Sequence, residues 1–245
     1  MRAIILAGGK GTRLRPYTVV LPKPLMPIGE YPILEVIVRQ LVQHGFTHLT
    51  LAVNYQAKII QSFFGNGEQW GITIDYSLET HPLGTMGPLS LIDDLPENFL
   101  VMNGDILTDL DYAAFYQRHA ATKAIFTIAS FERELKSEYG VLKVSRNGEL
   151  KGFEEKPTFL FEVSTGIYMV NRKILHHIPE GEPYGFDNLM LDLIAAGTPA
   201  FVRKHKSYWL DIGRSDDYMQ AIDEFEKMKS IFLKEPVINV ERAAV

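Results

Sequence analysis

The chain has 245 residues, 46% of them hydrophobic, enough for one large domain with a sizeable core. Its 25 Lys and Arg stand against 30 Asp and Glu, and the net charge of −5 argues against a protein that grips nucleic acid or another polyanion through bulk charge. Zero cysteines exclude a disulfide framework, a cysteine nucleophile, thiolate zinc sites and cysteine-held iron–sulfur clusters. The apolar run Ala3 to Ala7 stops at Gly8-Gly9, short of a signal-peptide core, and no stretch approaches the ~18 consecutive apolar residues of a spanning helix. A soluble, cytoplasmic protein without a membrane partner is expected.

Ala3 to Ala7, continuously apolar and closed by glycines, reads as a strand buried inside a parallel sheet. A Gly-rich loop follows, and Pro32 then opens a helix that aligns Ile33, Leu34, Ile37 and Leu41, with Gly45 as its stop. Strand Leu49 to Val53, a helix near Gln56 to Phe64, strand Ile72 to Ser77, a helix near Gly84 to Asp93 and strand Phe99 to Met102 repeat the rhythm. Such alternation predicts crossover units and an α/β fold: a Rossmann-like, open, mostly parallel sheet flanked by helices.

After Asp105 the pattern changes. Ala124 to Phe131, Gly140 to Ser145, Leu150 to Glu154 and Val163 to Val170 are strand-like, and Asn147-Gly148 is a hairpin turn signal, so the sheet is expected to be mixed. Asn188 to Ala196 reads as a helix closed by Gly197, and Ser215 to Lys229 as a long amphipathic helix carrying Tyr218, Ile222, Phe225 and Met228. Glu235 to Val245 lacks a clear period and is expected to be a tail. The seven histidines are expected at the surface, His176 and His177 pointing apart on their helix, while Phe63, Phe64 and Trp70 are expected in the core.

The loop Leu6-Ala-Gly-Gly-Lys-Gly-Thr-Arg-Leu14 leaves a buried strand, and ligands of open α/β sheets bind at strand carboxyl ends. Gly8, Gly9 and Gly11 would let backbone N–H groups approach phosphate oxygens, and Arg13 beside them is a ready phosphate fork. The dinucleotide pattern GxGxxG fails at Leu14, and the GxxxxGK[ST] phosphate loop is absent. Pro22-Lys23-Pro24 holds a second cation in a stiff loop.

The segment LAGGKGTRLRPYT followed by PKPLMPIG resembles the signature of the sugar-1-phosphate nucleotidyltransferases, the nucleoside-diphosphate-sugar pyrophosphorylases. ETHPLGTMGPL (79 to 89), VMNGD (101 to 105), YGVL (139 to 142), FEEKP (153 to 157), TGIY (165 to 168) and WLDIG (209 to 213) follow in the family's order and approximate spacing. The resemblance implies a reaction in which a sugar-1-phosphate oxygen attacks the α-phosphorus of a nucleoside triphosphate and releases pyrophosphate. It also implies a single nucleotidyltransferase domain over 1–234, with a nucleotide-binding half over about 1–110 and a sugar-phosphate half over about 111–234.

Arg13, Lys23 and Asp105 match the family's catalytic positions, Arg13 on the triphosphate and Lys23 on the reacting phosphates. Leu6, Ala7, Gly8, Gly9, Gly11, Thr12, Glu79, Gly84 and Asn103 fall at nucleotide-binding positions. Asp105 and Asp211 match the pair of Mg²⁺ ligands, and hard oxygen donors suit an ion that keeps its waters and binds phosphate. Gly140, Glu155, Lys156, Thr165 and Gly166 match the sugar-phosphate positions, the carboxylate for hydroxyls and the ammonium for the anomeric phosphate.

Glu79 would read the base. Guanine offers two adjacent donors, N1–H and the 2-amino group, whereas uracil and thymine offer one N–H between two carbonyls. GTP is therefore the favoured donor, with CTP second, and the PLGTMGPL run resembles mannose-1-phosphate and heptose-1-phosphate guanylyltransferases. Many of the former carry Asn-Ala-Gly where this chain has Ser164-Thr165-Gly166, which leaves the sugar open. A catalytically weak regulatory homologue that binds nucleotide-sugar, or a cytidylyltransferase for another phosphorylated acceptor, are the competing readings. The sequence leaves the oligomeric state open, a homo-oligomer included, and the C-terminal left-handed β-helix of some members is not expected.

Overall fold

The computed structural model of the protein describes residues 1–54, 56–122 and 124–233. The tail expected at 235–245 lies outside the described residues. In chain order the elements are β1 (Arg2–Leu6), the two-residue strands β2 (Pro27–Ile28) and β3 (Tyr31–Pro32), α1 (Ile33–Gln43), β4 (His48–Val53), α2 (Ala57–Phe64) and β5 (Thr73–Leu78). Then come β6 (Asn98–Asn103), β7 (Ile106–Thr108), α3 (Tyr112–Thr122), β8 (Phe126–Lys136), β9 (Val141–Val144), β10 (Leu150–Glu154) and β11 (Thr158–Asn171). The described part closes with α4 (Phe186–Ala195), β12 (Ala200–His205), β13 (Trp209–Asp211) and α5 (Ser215–Phe232).

Seven strands form one sheet in the order β12-β8-β11-β6-β1-β4-β5. All pairings are parallel except those of β11, which runs against both β6 and β8. The continuously apolar strands are explained by what covers them. Along β1, Ala3 and Ile5 enter one apolar layer and Ile4 the other; along β6, Leu100 and Met102 enter the first, Phe99 and Val101 the second. Successive side chains of a strand point to opposite faces, so a strand covered on both has no polar positions to spare. Helix α1 starts at Pro32 and buries Ile33, Leu34, Ile37 and Leu41 in the first layer. The N–H of Phe46 donates to Leu41 O at 3.0 Å around Gly45, whose φ is +83°.

Three expectations need correction. No α-helix forms over 84–93: only a 3₁₀ turn, Gly87–Leu91, is present. The N–H groups of Met86 and Gly87 both donate to Tyr184 O, at 3.0 and 2.9 Å, which ties this segment to the start of α4, and Pro88 has no N–H to give to a helix. Phe64 is buried and Trp70 packs against the first layer, but Phe63 is exposed. His119 lies in the interior, 1% exposed. Its Nδ1 pairs with Thr127 Oγ1 at 2.8 Å and its Nε2 with Asn98 Oδ1 at 3.2 Å, while Asn171 Nδ2 donates to the same oxygen at 3.0 Å. An amide oxygen can only accept, so the ring carries its proton on Nε2 and accepts from the threonine hydroxyl.

Burial holds the His119 imidazole below the usual histidine range. The unfolded chain therefore takes up the proton first as the pH falls. This contribution to stability is complete above about pH 6.5 and is lost as the pH drops toward the lowered native value. Thermal unfolding followed across that interval should show a shallower pH dependence in His119→Gln than in the wild type. Equal slopes would remove His119 from the balance.

Candidate active site

The site sits where the carboxyl ends of β1, β4, β5 and β6 meet. Ala7 N donates to Ala52 O at 2.8 Å and Gly104 N to Leu6 O at 2.9 Å, so the glycine loop and the Asn103–Asp105 turn leave the sheet tied to it. They enclose a cavity of about 290 Å³. Leu6, Ala7, Gly8 and Gly9 form one wall; Lys23, Asn103, Gly104 and Asp105 form another; Glu79, Pro82, Gly84 and Thr85 close the far end. A Cβ at Gly9 would meet nothing within 4 Å, so the loop is open there. Gly11, at φ +59°, is fixed by packing: a Cβ would stand 2.9 Å from Thr18 Cγ2 and 3.1 Å from Lys23 Cβ. That close approach lets the Pro22–Leu25 segment press Lys23 against the loop. Thr12 and Arg13 follow in an exposed 3₁₀ turn.

The charged centre is built by a short ladder. Strand β13 pairs antiparallel with β7 so that Asp211 stands opposite Ile106, and Ile212 N donates to Asp105 O at 3.0 Å. Two carboxylates more than a hundred residues apart thus become neighbours. The Lys23 ammonium, largely buried, pairs with Asp105 Oδ2. Asp105 Oδ1 is buried and accepts no hydrogen bond from the described residues. Burial, and then the Asp105 charge, push the Asp211 carboxyl above its ordinary value, opposed by Lys23 and Arg13. A Cβ at Gly213 would lie 3.5 Å from Asp211 Oδ2 and 3.6 Å from both terminal nitrogens of Arg13, so the carboxylate and the guanidinium both lie against this glycine. Arg13 and Asp211 also line a second cavity of about 360 Å³.

Among the described residues no group of three or more His, Asp or Glu side chains could hold a metal. The Asp105 and Asp211 pair nevertheless fits a hard cation. Two mutually repelling carboxylates, one with an unsatisfied buried oxygen, are an arrangement that a small divalent ion with several waters would relieve.

Glu79 follows β5, its N–H donating to Val53 O at 3.0 Å. Its Oε2 accepts from Leu83 N at 3.0 Å, and Oε1 would be 2.8 Å from a Cβ at Gly8, so glycine there gives the carboxylate its place. Burial raises its pKa, while the Leu83 N–H and His81 pull it back. Gly84, at φ +78°, has the Tyr184 carbonyl oxygen 2.8 Å from where a Cβ would be.

The sugar-phosphate candidates divide. Gly166, at φ +74°, lies in an irregularity of β11, and its missing Cβ would fall 2.6 Å from Asn103 Nδ2. Thr165 is buried, its hydroxyl donating to Ala129 O at 2.7 Å and its carbonyl accepting from Trp209 Nε1 at 3.0 Å. Gly140 lies against Phe153 and Glu155, and both Glu155 and Lys156 are exposed on a ribbon beyond the sheet, lining neither cavity. The motifs did not single out several cavity residues. Pro82, Thr85 and Trp209 lie inside quoted motifs and could have been found there, whereas Arg133, Arg214 and Gln220 had no sequence signal.

A family model described as "Nucleotidyl transferase" matches residues 2–228. A UTP–glucose-1-phosphate uridylyltransferase of Synechocystis sp. is 36% identical over 242 residues, covering 91% of this chain and 62% of the relative. A probable mannose-1-phosphate guanylyltransferase 1 of Oryza sativa subsp. japonica is 34% identical, covering 91% and 64%. The chain thus spans less than two thirds of these relatives' length. Among solved structures, HddC from Yersinia pseudotuberculosis complexed with GMP-PN is 27% identical with a TM-score of 0.69, covering 91% of this chain and 99% of that one. A putative glucose-1-phosphate thymidylyltransferase from Bacillus anthracis, 23% identical with a TM-score of 0.75 and covering 91% and 94%, shares the fold. With the match running through the glycine loop, both aspartates and the whole sheet, the chain belongs to the nucleotidyl transferase family.

Proposed function

We propose that the protein transfers a nucleoside monophosphate, with GTP the favoured donor, to a sugar-1-phosphate, giving a nucleotide-sugar and pyrophosphate. The observation that carries this reading is the convergence of Arg13, Lys23, Asp105 and Asp211 beside a cavity that ends at Glu79. An oxygen of the acceptor phosphate bonds to the α-phosphorus as the bond to the bridging oxygen breaks, and pyrophosphate leaves with the electron pair. Lys23 and Arg13 meet negative charge that grows on the phosphates, and the glycine loop brings neutral N–H donors alongside. Asp105 and Asp211 would hold Mg²⁺, which when bound supplies Lewis-acid polarisation of the α-phosphate. Gly166, by leaving room for the Asn103 amide, keeps that side chain at the cavity wall.

The base reading rests on Glu79. One carboxylate can accept both N1–H and the 2-amino group of guanine, and hydrogen bonds to a charged group are worth ~1.5–3 kcal/mol each, enough for a preference above tenfold. The GMP-PN bound to HddC is in line with this. A uridine donor is the reading that the Synechocystis relative favours. The mannose-1-phosphate and heptose-1-phosphate guanylyltransferase resemblance suggests the acceptor class without choosing the sugar.

Pyrophosphate release measured across a matrix of nucleoside triphosphates and sugar-1-phosphates should show GTP used best and the preference relaxed in Glu79→Gln. Use of UTP or dTTP at least as efficiently as GTP would overturn the guanine assignment. Turnover should also require a divalent cation. Asp105→Asn and Asp211→Asn should each lose most activity while unfolding cooperatively near the wild-type temperature, and Lys23→Ala should lower kcat by about 10²–10³. Either aspartate variant matching the wild type at limiting Mg²⁺ would take that residue out of the site.

A further inference from the structure

The ladder that brings Asp211 beside Asp105 is short. Strands β7 and β13 pair over three residues, Trp209 with Thr108, Leu210 with Leu107 and Asp211 with Ile106, and they form a two-stranded sheet apart from the large one. So small a pairing is marginal in water without outside support, and a slip of one residue would turn every side chain to the opposite face. Asp211 would then point away from Asp105. The register therefore needs a hold outside the ladder.

That hold lies just past the end of β7. Asp109 commits both carboxylate oxygens to the turn that enters β13: Oδ1 accepts from Tyr208 N at 2.8 Å and from His205 Nε2 at 2.9 Å, and Oδ2 accepts from Ser207 Oγ. His205 Nε2 also lies 2.9 Å from Tyr208 O, and two facing acceptors require the ring to carry its proton on that nitrogen. Thr108, fully buried, donates its hydroxyl to the same carbonyl at 2.7 Å. From the other side, Gln40 Nε2 on α1 donates to Thr108 O at 2.7 Å, so β7 is itself held. Both the N–H and the C=O of Tyr208 are thus gripped, and Asp211 follows three residues on, about 10 Å along a strand.

The Asp109 and His205 side chains are only 15 and 10% exposed, yet neither lines a cavity of the site. Keeping a carboxylate largely from water is costly unless its oxygens are satisfied, and here one turn supplies all three donors. We propose that Asp109 is the positioning residue for Asp211. With His205 and Thr108 it grips the turn before β13, fixes the register of β13 on β7 and so sets the Asp211 carboxylate beside that of Asp105. The consequence for metal binding rests on the transfer reading above; the register does not.

Amide exchange followed by NMR on the metal-free full chain reads the register. Its reporters are the Ile212 N–H, bonded to Asp105 O, and the Trp209 indole N–H, bonded to Thr165 O. In Asp109→Ala both should exchange about 10-fold faster or more, while amides of β1 and β4 keep their rates. Asp109→Asn, which can still accept from Tyr208 N, should fall between Asp109→Ala and the wild type. Should Asp109→Ala fail to fold, Asp109→Asn and Ser207→Ala carry the same comparison. Reporter rates equal to the wild type, or a rise shared equally by β1 and β4, overturn the proposal, the latter because it marks a general loss of stability. Mn²⁺ titration followed by electron paramagnetic resonance gives the second readout, with binding about 10-fold weaker in Asp109→Ala. Weakening in Asp211→Asn with none in Asp109→Ala overturns the proposal too. Equal binding by the wild type and Asp211→Asn overturns the metal reading instead, and the exchange rates then decide the register alone.

Discussion

Everything at the site depends on holding two like charges together. Asp105 and Asp211 repel, and burial makes the repulsion costlier, as the raised pKa of Asp211 records. The β7–β13 ladder leaves them no choice, since its register fixes Asp211 opposite Ile106, one residue from Asp105. The surroundings answer with cations. Lys23 is buried against Asp105, and Arg13 and Asp211 both lie against Gly213. Such a centre is balanced within the chain, and under the proposed transfer its cations would already be in place for polyanionic phosphates, the preorganisation that phosphoryl chemistry rewards.

Glycines do the positioning elsewhere, each by a different close approach. Gly8 admits the Glu79 carboxylate, Gly11 admits the Lys23 segment, and Gly166 admits the Asn103 amide. The end of the cavity at Glu79 is held by the segment before α4, because Tyr184 O accepts from both Met86 and Gly87. The Thr85 hydroxyl also accepts from Phe186 N at 2.7 Å. The loop that carries Glu79 is therefore shaped by the segment that opens α4.

The sheet is legible because strands covered on both faces carry unbroken apolar runs, Ala3 to Leu6 in β1 and Phe99 to Met102 in β6, and because Pro32 and Gly45 bracket α1. The helix expected near Gly84 does not form, and Met86 and Gly87 instead bond to Tyr184 O about a hundred residues away, a contact that no local pattern reveals. His119 is buried for a related reason: its partners Asn98 and Thr127 come from two strands, and Asn171 on a third bonds to Asn98. Strands β8 and β11 run beyond the expected Ala124 to Phe131 and Val163 to Val170, into stretches where charged residues such as Arg133, Glu134 and Glu162 interrupt the apolar pattern. At the site, motif order identified Lys23, Asp105 and Asp211 as candidates, but only the ladder shows why they meet, and Arg133 and Arg214 entered the second cavity with no motif to announce them.

The most direct measurement of the central claim is a crystal structure of the chain with Mg²⁺ and a non-hydrolysable GTP analogue. The account places the metal between the Asp105 and Asp211 carboxylates, the phosphates against Lys23, Arg13 and the glycine loop, and the guanine edge on Glu79. A metal held by other residues, or a nucleotide whose phosphates turn away from the two aspartates, would contradict it.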